Sequence, residues 1–305
     1  LTTGTNNVAI GRDALTANTS GGDNTAVGDR CLDANTTASA NTAMGSGAMG
    51  ATTTGNQNTA VGSGALAVNT NGSENTVLGY NALDANTSGG SNVAVGKQAL
   101  TANTTASNNT AVGTNSLAAN TTGNNNVAFG YNALSSNTTQ SSCTALGYEA
   151  LKVNTGSNNT AAGYQSMVAN TTGTQNAAFG NQSLDANTTG NYNAAFGWGA
   201  LGGNTTADNN TAVGQVALLD NTTGSNNTAV GRNCLTNNTT ASSNTSVGSN
   251  SLAANTTGNE NTAVGHYALD ASSGANENTA MGYQSLTSCT TGEGHAAFGW
   301  RSLTA

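Results

Sequence analysis

The sequence contains no proline, and only 7% of its 305 residues are charged. An ordinary globular domain carries about 25% charged residues, so this composition argues against a typical enzyme. Basic residues are scarce: six Lys and Arg stand against fourteen Asp and Glu, and the net charge is −8. Because binding to phosphate needs clustered Lys and Arg, we expect no nucleic-acid partner.

Long apolar runs, disulfide frameworks and metal motifs are also missing. No segment approaches the roughly 20 apolar residues of a membrane helix, so we expect no membrane span. Four cysteines in a chain of 305 residues do not form a disulfide framework. The two histidines, His266 and His295, occupy different places in the sequence pattern and belong to no metal-binding motif. We therefore expect no metal, no cofactor and no catalysis.

Asn, Thr, Ala and Gly are abundant instead, and they recur in a 17-residue repeat, N-T-A-V-G-x-x-A-L-x-x-N-T-T-G-x-x. One copy, which starts at Cys143, lacks a residue near Gly156. The repeat predicts a single array over 1–305 with no separate domains, either a slice of a longer protein or a unit that stacks end to end. The 18 copies begin at residues 7, 24, 41, 58, 75, 92, 109, 126, 143, 159, 176, 193, 210, 227, 244, 261, 278 and 295.

Three repeat positions predict the fold. Position 5 is always Gly, as at Gly11, Gly28, Gly113 and Gly130, which indicates a positive φ or a close backbone approach. Position 4 is apolar and position 9 is Leu or Met, so we expect Val112 and Leu117 and their equivalents to form the core. This Gly and Asn content excludes a helix. The prediction is an all-β parallel β-solenoid, a β-roll of 18 rungs stacked about 4.8 Å apart into an elongated rod.

Asparagine fills two further positions. Position 1 is Asn in 16 of 18 copies, for example Asn109 and Asn126, and position 12 is Asn in most. Stacked amides hydrogen-bond along a parallel array, so we predict Asn ladders, with a Thr column beside them at position 13.

The segments Asn7–Gly11, Val93–Gly96 and Val127–Gly130 resemble the N-S-V-A-I-G repeat of trimeric autotransporter adhesin (YadA-like) heads. The Asn/Thr/Gly-rich copies with A-V-G and A-L also resemble bacteriophage tail-fibre-like repeat proteins. The resemblance extends from end to end of the chain. It implies a left-handed parallel β-roll, three chains side by side, and a place on a cell or virion surface.

Position 6 collects aromatic residues directly after the invariant Gly. Exposed aromatic rings bind sugars or partner chains, so these residues are candidate glycan or partner contacts, and the alternative is a corner that packs flat residues against neighbouring chains. Three of them occupy consecutive rungs and should stack. The candidates are Tyr131, Tyr148, Tyr164, Trp198 and Trp300.

Two other surface roles are open. The Thr column at position 13 is a candidate ice-binding array, although Thr pairs that are adjacent in a strand face opposite ways. Twelve copies carry N-x-S/T at position 12, which is the acceptor sequence for N-glycosylation in a secreted protein. The candidate acceptors include Asn18, Asn35, Asn103, Asn120, Asn187 and Asn204.

Together these patterns predict an extracellular structural fibre protein that forms a rod or filament by rung stacking, as a fibre or as the shaft of an adhesin or phage tail fibre. The alternative is a surface module that binds glycans or ice. The expected partner is the protein itself, as a side-by-side trimer, an end-to-end filament or both, with a cell-surface glycan as a further candidate. The expected location is extracellular, on a cell surface or on a virion.

Overall fold

A computed structural model describes residues 3–304 of the chain. The chain divides into two compact units, Leu1–Thr155 and Gly156–Ala305. The division falls inside the shortened repeat, next to the place where one residue is missing. Both units are built from the same rung, so the repeat pattern holds on each side of the division.

Each repeat forms one three-residue strand at its positions 2 to 4, and residues 3–304 contain no helix. Turns occupy most of the remaining positions because Gly, Asn and Thr favour them. The strands are β1 (Val8–Ile10), β2 (Thr25–Val27), β3 (Thr42–Met44), β4 (Thr59–Val61), β5 (Thr76–Leu78), β6 (Val93–Val95), β7 (Thr110–Val112), β8 (Val127–Phe129), β9 (Thr144–Leu146), β10 (Thr160–Ala162), β11 (Ala177–Phe179), β12 (Ala194–Phe196), β13 (Thr211–Val213), β14 (Thr228–Val230), β15 (Thr245–Val247), β16 (Thr262–Val264), β17 (Thr279–Met281) and β18 (Ala296–Phe298).

Strands pair in parallel with their neighbours in sequence, β1 to β9 in the first unit and β10 to β18 in the second. The register matches equal repeat positions: Thr110 pairs with Val127, and Val112 pairs with Phe129. A parallel pairing of each repeat with the next, without helices, is a parallel β-solenoid. The predicted all-β fold class is therefore confirmed.

The core differs from the prediction at one position. Leu117 at position 9 is fully buried, as expected, and so is Ala111 at position 3. Val112 at position 4 is only half-buried, and the equivalent Phe129 is 57% exposed. Because successive side chains of a strand point to opposite faces, an inward Ala at position 3 turns positions 2 and 4 outward. The prediction that position 4 forms the core is wrong.

Four positions in each rung have a positive φ. The Gly at position 5 is one, with φ of 125° at Gly11, 141° at Gly28, 128° at Gly113 and 140° at Gly130. Positions 7, 9 and 17 are the others, and Leu117 at position 9 has a φ of 52°. This conformation costs a non-glycine residue roughly 1–2 kcal/mol. At Leu117, burial of the side chain offsets that cost.

Candidate functional site

The interior contains two columns of asparagine, and the predicted ladders are present. At position 1, the backbone N–H of Asn126 donates to Oδ1 of Asn109 in the preceding rung at 2.9 Å. At position 12, Nδ2 of Asn120 donates to Oδ1 of Asn103 at 3.0 Å. These four amides are fully buried. Since each pairs with the next rung, the ladders satisfy polar groups that burial would otherwise penalise.

The two columns also meet inside each rung, which the sequence pattern did not predict. Nδ2 of Asn109 donates to the carbonyl of Gly123 at 2.9 Å, and Nδ2 of Asn120 donates to the same oxygen at 3.0 Å. The same pair of bonds closes the rung that contains Asn24 and Asn35. In each of these rungs, one carbonyl oxygen at position 15 thus accepts hydrogen bonds from the position-1 and position-12 amides and links them across the interior.

This geometry contradicts the predicted glycosylation. A glycan on asparagine is attached through Nδ2, and it needs that atom at the surface. In the folded rung the position-12 side chains are at most 2% exposed, and their amides donate to interior carbonyls. The folded chain has no room for a sugar at these sites, which are Asn18, Asn35, Asn103, Asn120, Asn187 and Asn204.

The outward side of the strands, positions 2 and 4 of each repeat, forms a surface that we name the strand face. None of its residues is charged in any of the 18 copies. Position 4 carries large apolar side chains that reach solvent, including Ile10, Leu78, Phe129 and Phe298. Phe179 and Phe196 stack on each other with ring centroids 4.9 Å apart. The strand face is therefore uncharged, and its position-4 row is apolar, while position 2 is Thr in 12 of the 18 copies.

The position-6 aromatic residues border the strand face and are exposed, as predicted. Tyr131 and Tyr148 stack with centroids 5.3 Å apart and planes 16° apart, in the first unit. Tyr164 and Trp198 lie in the second unit and are also exposed, and Trp300 is 71% exposed. In the stacked pair, each ring covers one face of the other, which leaves less ring surface for a sugar.

An ion pair lies beside the stacked tyrosines. Nζ of Lys152 is 2.8 Å from Oε1 of Glu149. The hydrogen bond that Lys152 donates to Glu149 raises the pKa of Lys152, and Tyr148 and Tyr131 contribute in the same direction. Charged residues are rare in this chain, so an ion pair next to two stacked aromatic rings distinguishes this part of the first unit from its other rungs.

The Thr column is a third ladder. Oγ1 of Thr104 donates to the carbonyl of Thr121 one rung along at 3.1 Å, and Oγ1 of Thr188 donates to that of Thr205 at 2.9 Å. The column hydroxyls that an ice-binding array would present to water are engaged with the backbone. Their first role is to hold rungs together.

Titratable groups do not converge. Burial raises the pKa of the Cys31 and Cys234 thiols to about 11, so both stay protonated at neutral pH. Across residues 3–304, no group of three or more His, Cys, Asp and Glu side chains is arranged to hold a metal ion. In the same part of the chain, no helix has the length and apolarity needed to cross a bilayer.

The fold and its surfaces define a class, the parallel β-solenoid with polar interior ladders and one uncharged face. No protein-family model matches the chain, and neither a curated protein nor a solved structure matches it.

Proposed function

We propose that the protein is an extracellular structural fibre protein that associates with copies of itself through the strand face. The observation that carries this proposal is that, in each unit, the outward side chains at positions 2 and 4 are uncharged in every rung. Soluble proteins rarely leave such a surface open to water unless it binds something. A second copy offers the same surface with the same rung spacing, so its side chains match rung for rung.

The exposed area supports an interface. Phe129 and Leu146 lie on neighbouring rungs of the strand face and are 57% and 42% exposed. Half-exposed side chains of this size leave roughly 75–100 Å² each in solvent. Four such rungs would expose about 300–400 Å², which equals the largest apolar patch of a typical monomer. Further rungs of the same unit extend the area toward the roughly 800 Å² per partner of a stable complex.

The resemblance to adhesin heads and tail-fibre-like repeats supports the same function. It favours three chains side by side on a cell or virion surface. The stacked rungs supply stiffness through three sets of ladder bonds, and the lack of metal-binding clusters within residues 3–304 fits a mechanical role. The molecule then serves as a long, durable support and not as a catalyst.

Sedimentation of two matched variants tests the proposal. Val213→Glu with Val247→Glu places two charges on the strand face, two rungs apart. Thr206→Glu with Thr240→Glu places the same charges at the same spacing on exposed position 14. We expect the wild type and the Thr variant to sediment as one oligomer and the Val variant as a monomer with unchanged circular dichroism. A wild type that stays monomeric at every concentration contradicts the proposal.

A further inference from the structure

The stacked tyrosines occupy a place where the backbone holds two rungs in fixed register. Strands β8 and β9 pair directly before them. The N–H of Gly147 donates to the carbonyl of Phe129 at 2.8 Å, and that of Glu149 donates to the carbonyl of Tyr131 at 2.9 Å. These bonds flank Tyr148 on both sides. The 5.3 Å separation of the two ring centroids is therefore a consequence of the fold.

The same rung departs from the repeat at two places in its amide ladder. Cys143 replaces the position-1 Asn, and the repeat is one residue short. Nδ2 of Asn154 lies 3.4 Å from Oδ1 of Asn137. Equivalent bonds elsewhere at position 12 measure 2.7–3.1 Å. The ladder bond to the preceding rung is therefore stretched here, and an added link between the two rungs would reinforce it.

We propose that Tyr131 and Tyr148 form an oxidative cross-linking site, at which a peroxidase with hydrogen peroxide joins the two rings as dityrosine. The link covalently fastens the rung that starts at Cys143 to the rung that starts at Asn126. It forms within one chain, so it does not depend on self-association through the strand face.

The chemistry balances with hydrogen peroxide as the oxidant. Each phenol loses one electron and one proton, which gives two phenoxyl radicals. Their unpaired electrons, delocalised onto the carbons ortho to oxygen, pair to form one carbon–carbon bond. The two ortho hydrogens then move to oxygen and restore both phenols. Overall, two ring C–H bonds are lost, and one hydrogen peroxide is reduced to two waters.

The geometry suits this coupling. Both side chains are about 45% exposed, so an oxidant reaches them and the rings retain room to turn. Two radicals held side by side react as an intramolecular pair, which has a large advantage over encounters between separate chains. Phe179 and Phe196 stack in the same way but carry no phenol, so this chemistry does not apply to them.

Peptide mapping after peroxidase treatment tests the site. Trypsin cleaves after Lys97 and Lys152, and the peptide of residues 98–152 contains Tyr131, Tyr148 and no other tyrosine. It also contains a single cysteine, Cys143, so a disulfide within the peptide cannot mimic the product. We expect this peptide to become lighter by two hydrogen atoms and to acquire dityrosine fluorescence.

The variants Tyr131→Phe and Tyr148→Phe keep the stack and should each abolish that mass change. The peptide of residues 31–97 contains one tyrosine, Tyr80, and serves as the internal control. Peroxide can add oxygen to its methionines, but the peptide should not lose two hydrogen atoms or acquire dityrosine fluorescence. An unmodified 98–152 peptide, in a reaction that couples added free tyrosine, overturns the proposal. So does a product in which residues 98–152 are joined only to another peptide, because Tyr131 and Tyr148 are then not joined to each other.

Discussion

The position-12 amide ladder is interrupted in two rungs, where individual buried atoms lack a hydrogen-bond partner. Position 12 is Thr52 in one rung and Ser272 in another, and both hydroxyl oxygens are buried without a hydrogen-bond partner. The Oδ1 atoms of the preceding asparagines, Asn35 and Asn255, are unpartnered as well. A shorter side chain leaves the carbonyl oxygen of its neighbour without a donor. Each interruption therefore creates two unsatisfied atoms in a dry interior.

Replacing Thr52 by Asn should stabilise the protein. The new Nδ2 reaches Oδ1 of Asn35 and the position-15 carbonyl, and the new Oδ1 accepts from Asn69. Pairing buried polar atoms is worth about 1–3 kcal/mol, and we expect a gain of roughly 1–2 kcal/mol in the free energy of unfolding. Urea titration followed by circular dichroism measures it.

Two comparisons accompany this prediction. Ser272→Asn should gain less than Thr52→Asn, because Cys289 in the next rung has no amide to donate. The reverse change, Asn86→Thr, should lose about 1–3 kcal/mol. A loss of stability in Thr52→Asn would show that the rung has no space for the amide.

The bend after each strand depends on a missing side chain. A Cβ on Gly113 would lie 2.6 Å from the carbonyl oxygen of Gly130 in the next rung, and φ is 128°. Gly113→Ala must therefore separate two rungs or change the bend, and we expect it to lose about 3 kcal/mol or more. Thermal unfolding monitored by circular dichroism detects this loss.

Gly47 provides the matched control, since its φ is 66° and a Cβ there meets nothing within 4 Å. Other rungs have Asn at this position, for example Asn115 and Asn132. Gly47→Asn should be neutral or slightly stabilising because it restricts the unfolded chain. Equal effects of the two substitutions would contradict the argument from the bend.

The sequence predicts the rung better than it predicts the direction of its side chains. The period, the invariant Gly and the columns of Asn and Thr together determine a parallel in-register array. The pattern Thr110-Ala111-Val112 gives no sign that Ala faces inward, because the larger apolar residue is normally the buried one. The closed rung, with Leu117 and two amides already inside, leaves space for a small residue, which is Ala in most rungs and Val77 in one.

The left-handed residues could not be predicted either. Leu117 has a φ of 52°, and leucine carries no signal for that conformation. Burial of the candidate glycosylation sites could not be predicted either, because an N-x-S/T sequence looks the same whether its Asn is exposed or lies in an interior ladder. In both cases the deciding factor is contact with the neighbouring rung, which lies 17 residues away.

On the scale of the whole molecule, stability rests on groups that do not titrate. The ladders consist of amides, hydroxyls and backbone, and the ion pairs within residues 3–304 are Arg12–Asp29 and Lys152–Glu149. The Arg12 hydrogen bond lowers the pKa of Asp29, and this pair is exposed to solvent, where such pairs contribute little. Acid, which unfolds most proteins by protonating paired carboxylates, has few such groups to act on here.

Two partly buried carboxylates should make the folded state more stable, not less stable, as the pH falls. Burial raises the pKa of Asp185 and of Asp270, so the folded state takes up their protons more readily than the unfolded chain, whose value is about 3.9. Their contribution to stability therefore increases as the pH falls through the raised values toward that of the unfolded chain. The net charge of −8 also shrinks toward zero near the isoelectric point of 4.3, which reduces self-repulsion.

We therefore expect the thermal midpoint at pH 4 to equal or exceed that at pH 7. Circular dichroism melts over this range, at protein concentrations low enough to prevent precipitation, measure it. The double variant Asp185→Asn with Asp270→Asn should melt higher than the wild type at pH 7. The two proteins should approach each other as the pH falls, because protonation progressively removes the charge of the wild-type carboxylates. A midpoint that falls steeply between pH 6 and pH 4 in both proteins would mean that a paired carboxylate supports the fold after all.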